Sequence, residues 1–164
     1  MTETLPVVRK SSGWGALLAF LLLTLAVGAV AGIATAKGVN GWYATLEKPS
    51  FNPPNGVFAP VWTTLYVLMA IAAWRVWRLR GIASVALILF FVQLALNFAW
   101  SFIFFTAHDI RVALMEIAVL WLAIVLTTIA FFRADRIAGW LMVPYIAWVS
   151  FASLLNYSVY QLNG

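Results

Sequence analysis

Residues 42–62 read WYATLEKPSFNPPNGVFAPVW. They join two long apolar runs, yet they are not composed like a loop. Pro49, Pro53, Pro54 and Pro60 stop a helix from running through the centre of the stretch. Trp42, Tyr43, Phe51, Phe58 and Trp62 make it strongly aromatic. A connection this long without secondary structure of its own is usually functional or disordered. Disorder requires low hydrophobicity, which this stretch lacks. The composition predicts an ordered, rigid lid packed on something apolar; set between the first two spans, its prolines would fix its path and its aromatics would face the cavity.

What the lid packs on follows from the rest of the chain. Of 164 residues, 65% are hydrophobic and 9% charged, with a mean hydropathy of +0.98. A water-soluble domain of this size has no interior large enough for that much apolar surface. The chain reads as an integral membrane protein. Cysteine is absent, which excludes disulfides and thiol chemistry. The net charge of +5 bears on orientation and lipid headgroups, not on nucleic acid.

The expected fold is all-α: an integral membrane bundle of five transmembrane helices with a long ordered loop between the first two. The apolar runs place these helices at about residues 14–36, 60–79, 82–107, 112–132 and 137–160. Each approaches or exceeds the roughly 20 residues that cross a bilayer. Residues 1–13 form an N-terminal tail, 14–164 a single domain, and 37–59 the lid loop. The first run is too long for the apolar segment of a signal peptide, although Ala34-Thr35-Ala36 resembles a cleavage site. Short charged turns at Gly81, 108–111 and 133–136 predict that the second to fifth helices are sequential antiparallel neighbours. Counting Lys and Arg on each side puts Arg9, Lys10, Arg75, Arg78, Arg80, Arg133 and Arg136 opposite Lys37, Lys48 and Arg111. The positive-inside rule then predicts a cytoplasmic N-terminus if the protein resides in an inner membrane; whether the membrane is a bacterial inner or outer one stays open.

Polar residues at membrane depth are scarce and therefore informative. Gln93, Asn97 and Ser101 share one helical face at i, i+4 and i+8. Such side chains either bond neighbouring helices or face a ligand. Glu116, one turn into the fourth run, is expected to complement the helix N-terminus or to pair with Arg111, or else to add polarity to a cavity. Trp62 and Tyr66 lie one turn apart, and Tyr145, Trp148 and Ala152 fall at i, i+3 and i+7. Indoles at such positions supply flat apolar walls with one N–H donor each. Trp14, Trp74, Trp77 and Trp140 lie near span ends and suit core or interfacial roles. Gly28 and Gly32, extended by Thr24 and Ala36, form a small-residue stripe, and Ala95 and Ala99 a shorter one. Either serves packing within the bundle or a dimer seam. The chain carries no nucleotide loop, zinc-ligand cluster or nucleophile triad.

Several of these residues recur as ordered motifs: Trp42-Tyr43, Lys48-Pro49, Pro53-Pro54 and Pro60-Val61-Trp62, then Gln93-Leu94, Asn97 and Trp100-Ser101. Ala113-Leu114 with Glu116 follows, and Pro144-Tyr145, Trp148, Phe151-Ala152 and Leu155-Asn156 end the series. In this order and spacing the chain resembles bacterial members of the translocator protein family (TspO/MBR), also called tryptophan-rich sensory protein or peripheral benzodiazepine receptor. The resemblance covers nearly everything after the N-terminal tail. It implies a five-helix bundle, commonly a homodimer, that binds porphyrins of the protoporphyrin IX type and benzodiazepine-like or other small hydrophobic molecules beneath the lid. The implied role is regulation of tetrapyrrole metabolism, transport or stress response.

The implied ligand contacts are Tyr43, Pro53, Pro54, Phe58 and Trp62 from the lid and its end, with Tyr66, Asn97, Trp100, Trp148 and Ala152 from the spans. Asn97 would offer its amide to a ligand carbonyl or carboxylate. No cofactor is obligatory and no metal site is expected. The lone His108 sits in a turn, so a macrocycle would be recognised without obligatory axial ligation. Lipid or sterol contact is weakly implied, because no Lys or Arg follows Arg136 to complete the C-terminal sterol motif. The alternatives are light-dependent porphyrin breakdown supported by the indoles, and a membrane scaffold acting through partner contacts.

Overall fold

The computed structural model describes residues 13–164. Arg9 and Lys10, and the rest of the tail before Gly13, lie outside the described residues. Among the described residues, five helices are long and apolar enough to cross a membrane. In chain order the elements are α1 (Trp14–Asn40), a single turn α2 (Trp42–Thr45), a 3-10 turn (Asn55–Val57), α3 (Phe58–Arg80), α4 (Val85–Phe105), α5 (Ile110–Ala134) and α6 (Arg136–Asn163). The protein is a multi-pass integral membrane protein with an all-α fold.

The helix ends differ from expectation for local reasons. α1 is unbroken through the Ala34-Thr35-Ala36 stretch and runs to Asn40, which shortens the lid and makes Lys37 helical. α3 starts at Phe58, two residues before Pro60. A proline in the first turn is tolerated because the first four amides of a helix have no intrahelical acceptor. Gly81 ends α3 at φ 77, a backbone state that glycine adopts freely. Asp109 caps α5 by accepting from the Val112 amide at 2.9 Å.

Neighbour order is the main correction. α1 packs on α3 and α4, α3 on α6, α6 on α5 and α5 on α4. The spans therefore close a ring in the order α1, α3, α6, α5, α4. The expectation that the second and third spans are neighbours fails: α3 and α4 are consecutive in sequence, but α1 lies between them. A short turn limits the distance between helix ends without dictating which faces meet.

The small-residue stripe on α1 explains how that helix is seated. Thr24 is fully buried, and its hydroxyl donates to the Tyr66 carbonyl at 3.0 Å. A methyl on Gly28 would sit 2.5 Å from the Tyr66 ring. Thr24 and Gly28 thus face α3 within the bundle. Gly32 has nothing within 4 Å of where its Cβ would be, and Gly32 and Ala36 are exposed. Further along, Gly38 meets Phe105, and α1 leans on α4 instead. Ala95 is exposed on the outside of α4.

The end of the bundle near Gly13 is tied down by polar contacts. Trp74 is buried, stacks on Trp14 at 5.7 Å and donates its indole N–H to the Gly13 carbonyl at 2.8 Å. Arg75 Nε donates to Asp135 Oδ2 at 2.5 Å, while Asp135 Oδ1 caps α6 through the Ile137 amide at 3.0 Å. This ion pair is the only one among the described residues. Arg80 reaches the Arg133 carbonyl at 3.4 Å, so these arginines share one end of the bundle, as the charge count assumed. Glu116 forms no pair with Arg111; both its carboxyl oxygens are buried without a hydrogen-bond partner.

Two consequences are measurable by thermal unfolding in one detergent. Gly28→Ala drives a methyl into the Tyr66 ring and should cost about 1–3 kcal/mol, whereas Gly32→Ala should leave the midpoint unchanged or raise it; equal losses would contradict the seating of α1. The hydrogen bond from Arg75, helped by its charge, holds the Asp135 carboxyl below the usual carboxylate range despite partial burial. A lowered folded value stabilises above the unfolded value of about 3.9, and the gain is lost as pH falls through the folded value. Asp135→Asn retains a capping side chain but loses the charge. It should melt roughly 2–4 °C lower than the parent at neutral pH, with the gap closing in acid.

Candidate functional site

At the end of the bundle opposite Gly13 the lid closes over the helices. Tyr43 on α2 is buried and donates its hydroxyl to Asn52 Oδ1 at 2.7 Å, fixing the lid to itself. Lys48 Nζ donates to the Leu46 carbonyl at 2.8 Å and lies 5.2 Å over the Tyr43 ring. The lid is clasped to the C-terminal end of α6 by one side chain. Asn163 Oδ1 accepts from the Glu47 amide, and Asn163 Nδ2 donates to the Glu47 carbonyl, both at 2.9 Å. This double bond copies the pairing of a sheet edge using a single amide. Sequence reading missed Asn163, because neither its position nor its neighbours mark it.

Beneath the lid lies a small, partly open chamber of about 40 Å³. Tyr43, Phe58, Trp62, Trp100, Trp148 and Ala152 all line it. These six of the expected contact residues, from the lid and three spans, are therefore brought together. Trp62 meets Trp148 edge-on at 6.4 Å, and Phe58 meets Trp148 at 6.1 Å. Trp100 stacks on Phe104 at 5.3 Å. Each perpendicular pair sets the positive edge of one ring against the negative face of the other, which holds the walls in fixed orientation.

The chamber adjoins a larger groove of about 740 Å³ between α1 and α3. Thr35, Phe58, Trp62 and Ser101 line both spaces. Gly28, Gly32 and Ala36 give the groove a low wall on the α1 side, and Tyr66 forms part of the α3 side. Small-molecule pockets commonly measure about 300–1,000 Å³, so the groove, not the chamber, has room for the body of a ligand.

The remaining expected contacts lie elsewhere. Asn97 lines neither space and is 2% exposed. Its Oδ1 accepts from the Tyr66 hydroxyl at 2.5 Å, and its Nδ2 donates to the Tyr145 hydroxyl at 3.1 Å. Tyr145 in turn donates to Gln93 Oε1 at 2.8 Å. Gln93 and Asn97 thus bond helices together, and of the polar stripe on α4 Ser101 alone reaches the cavities. Pro53 and Pro54 shape the lid without lining either space. Of the lid aromatics, Trp42 turns away to stack on His108 at 4.4 Å, and Phe51 stays exposed beside Phe151 at 6.2 Å. The expectation that all the lid aromatics face the cavity holds only for Tyr43, Phe58 and Trp62. His108 takes up φ 58, a left-handed backbone for a non-glycine residue.

Asn156, within the final motif but outside the expected set, also lines the chamber. Its Oδ1 has no partner, nor do the indole N–H groups of Trp100 and Trp148. Its signal in the sequence was a polar residue at depth, one helical turn beyond Ala152.

Comparison with known proteins agrees with this architecture. Residues 20–162 match the model of the TspO/MBR family. Over 145 residues the chain is 44% identical to the tryptophan-rich protein TspO of Chlorobaculum tepidum, covering 86% of this chain and 91% of that protein. It is 40% identical over 149 residues to the tryptophan-rich protein TspO of Archaeoglobus fulgidus, covering 90% and 96%. It is 41% identical over 126 residues to the translocator protein of Homo sapiens, covering 74% and 75%.

The Asn163 clasp yields a direct test. Asn163→Ala removes both bonds to Glu47 and should raise amide exchange at Glu47 roughly tenfold while α3 to α5 keep their protection. Unchanged exchange at Glu47 would mean that other contacts hold the lid shut.

Proposed function

This chain belongs to the TspO/MBR family, and from that premise we propose that its receptor-like role in the membrane consists of binding porphyrin-type tetrapyrroles and other small hydrophobic ligands. The observation that carries the reading is the convergence of Trp62, Trp100 and Trp148 on one lidded chamber that continues into the α1–α3 groove. A flat macrocycle needs broad apolar walls and few but placed polar groups. Indoles from α3, α4 and α6 provide both. The groove has the volume for the body of such a ligand, and the open backbone at Gly32 admits a flat face closely.

Occupancy would be communicated through the lid. Tyr43 and Phe58 line the chamber, so a ligand that displaces these rings bears directly on the lid. This supports a role in sensing, sequestering or handing on tetrapyrroles, and so in regulating their metabolism or a stress response.

Titration of the purified protein with protoporphyrin IX, followed by quenching of tryptophan fluorescence, tests the reading. The double variant Trp62→Phe, Trp148→Phe keeps two apolar rings but loses indole surface and both N–H donors. It should raise the dissociation constant at least tenfold, a loss of about 1.4 kcal/mol. Unchanged affinity, checked by porphyrin absorbance because the variant has fewer reporters, would place the ligand elsewhere.

A further inference from the structure

The end of the bundle opposite the lid is strongly basic. Arg75, Arg78 and Arg80 stand on the last turns of α3, Arg133 near the end of α5 and Arg136 at the start of α6. Asp135 is the only carboxylate at that end among the described residues, and Arg75 already holds it. Arg78, Arg80, Arg133 and Arg136 are exposed, and none has a carboxylate within ion-pair distance among the described residues. Glu47, Asp109 and Glu116 belong to the lid half of the molecule. Residues 1–12 add Arg9 and Lys10 against Glu3, so the tail does not reverse the sign.

These charges stand at and just beyond a belt of rings. Trp14 and Trp140 are exposed; Trp14 stacks on Trp74, and Trp140 meets Phe132 edge-on at 5.4 Å. Exposed tryptophans of a membrane protein mark the boundary between acyl chains and headgroups. Arg78 lies over the Trp74 ring at 5.0 Å, at the level of the belt. Arg136 is four residues outside Trp140 and Arg80 six outside Trp74, which at about 1.5 Å per residue is about 6 and 9 Å along the helix axis. The headgroup layer is about 5–8 Å deep on each side of the hydrocarbon core, so these guanidinium groups fall at the depth of the lipid phosphates.

Arg80 and Arg133 come from helices that are not neighbours in the ring. Arg80 Nη2 nevertheless donates to the Arg133 carbonyl at 3.4 Å, which holds one positive charge beside the backbone of another arginine. Like charges brought together repel unless an anion lies between them. We propose that this end of the bundle is a docking surface for acidic phospholipid. The phosphate of a phosphatidylglycerol-type lipid bridges Arg80 and Arg133, with Arg78 and Arg136 flanking it. The planar fork of each guanidinium matches two phosphate oxygens. The acyl chains lie against the exposed apolar side chains of the belt, among them Leu79, Ile137 and Trp140. A zwitterionic lipid carries its own cation beside the phosphate, so the surface selects lipids of net negative charge. Such a lipid ties α3 to α5 across α6. The proposal does not depend on what binds beneath the lid.

Native mass spectrometry of the full chain, released from micelles containing equal phosphatidylglycerol and phosphatidylcholine of the same chain length, counts the retained lipids. The wild-type protein should retain the acidic lipid with at least a tenfold preference that falls as salt is added. Each arginine near an anionic lipid surface contributes about fivefold. Arg80→Gln with Arg133→Gln should therefore weaken phosphatidylglycerol at least tenfold and change phosphatidylcholine less than about twofold; glutamine at position 80 keeps a donor for the Arg133 carbonyl. Arg78→Gln with Arg136→Gln should act in the same direction and serves if the first pair fails to fold. Lys37→Gln with Arg111→Gln removes as much charge from the lid half and should leave the preference unchanged. An equal loss in that variant would reduce the attraction to net charge and overturn the proposal. So would wild-type protein without a preference, or a preference indifferent to both arginine pairs. Glycerol 3-phosphate at the concentration of the acidic lipid should not displace it; displacement would assign the surface to soluble phosphates and overturn the lipid assignment.

Discussion

The side chain of Tyr66 is the point from which the bundle hangs. Its hydroxyl opens a chain of hydrogen bonds through Asn97 and Tyr145 to Gln93, which joins α3, α4 and α6. Its carbonyl accepts from Thr24, and its ring lies against Gly28, which seats α1. Lipid offers no competing hydrogen bonds and no hydrophobic drive between helices, so packing and interhelical polar contacts must hold such a bundle together. Each bond contributes only about 0.6 kcal/mol on average in membrane proteins. Their value here is placement: four of the five spans are indexed to one residue.

The groove follows from that seating. α1 lies against α3 from Gly13 to Thr24 and Gly28, then crosses towards α4, where Gly38 admits Phe105. Beyond Gly28 the two helices diverge and leave a gap on the lid side. The opposite end has no such freedom, since Trp74 is bonded to Gly13 and Arg75 to Asp135. One end of the molecule is thus closed by polar contacts, and the other by a lid held by the Asn163 clasp and by the rings of Trp42, Tyr43 and Phe51 packed on α4, α6 and His108.

The spans were legible because bilayer thickness imposes a length and an apolar composition that any window of sequence reveals. The lid was legible because four prolines and a cluster of aromatics cannot be a solvated loop. The ring order was not, because Gly81–Ser84 constrains where α3 and α4 end but not that α1 inserts between them. Asn97 is a similar case. Its spacing with Gln93 and Ser101 correctly gave a shared face, but its partners Tyr66 and Tyr145 lie far off in sequence, and the pattern on one helix cannot reveal that they engage both ends of its amide. Glu116 is the reverse case: Arg111 is close in the chain, yet the two form no ion pair and both carboxyl oxygens are buried.

The polar atoms at depth fall into two populations. Those of Tyr66, Asn97, Tyr145 and Gln93 are joined in one chain of hydrogen bonds. Those of Trp100, Trp148 and Asn156 are equally buried but unmatched, and they gather at one cavity. Local rules of polar satisfaction are broken in natural folds chiefly where function requires it. The bonded set therefore reads as architecture, and the unpaired set stands apart from it. The two are stacked along α4, where Gln93 and Asn97 belong to the first and Trp100, one turn further towards the lid, to the second. A helix held rigidly by its lower polar residues presents its upper indole with little freedom to move, which is the preorganisation that selective binding of a flat ligand requires.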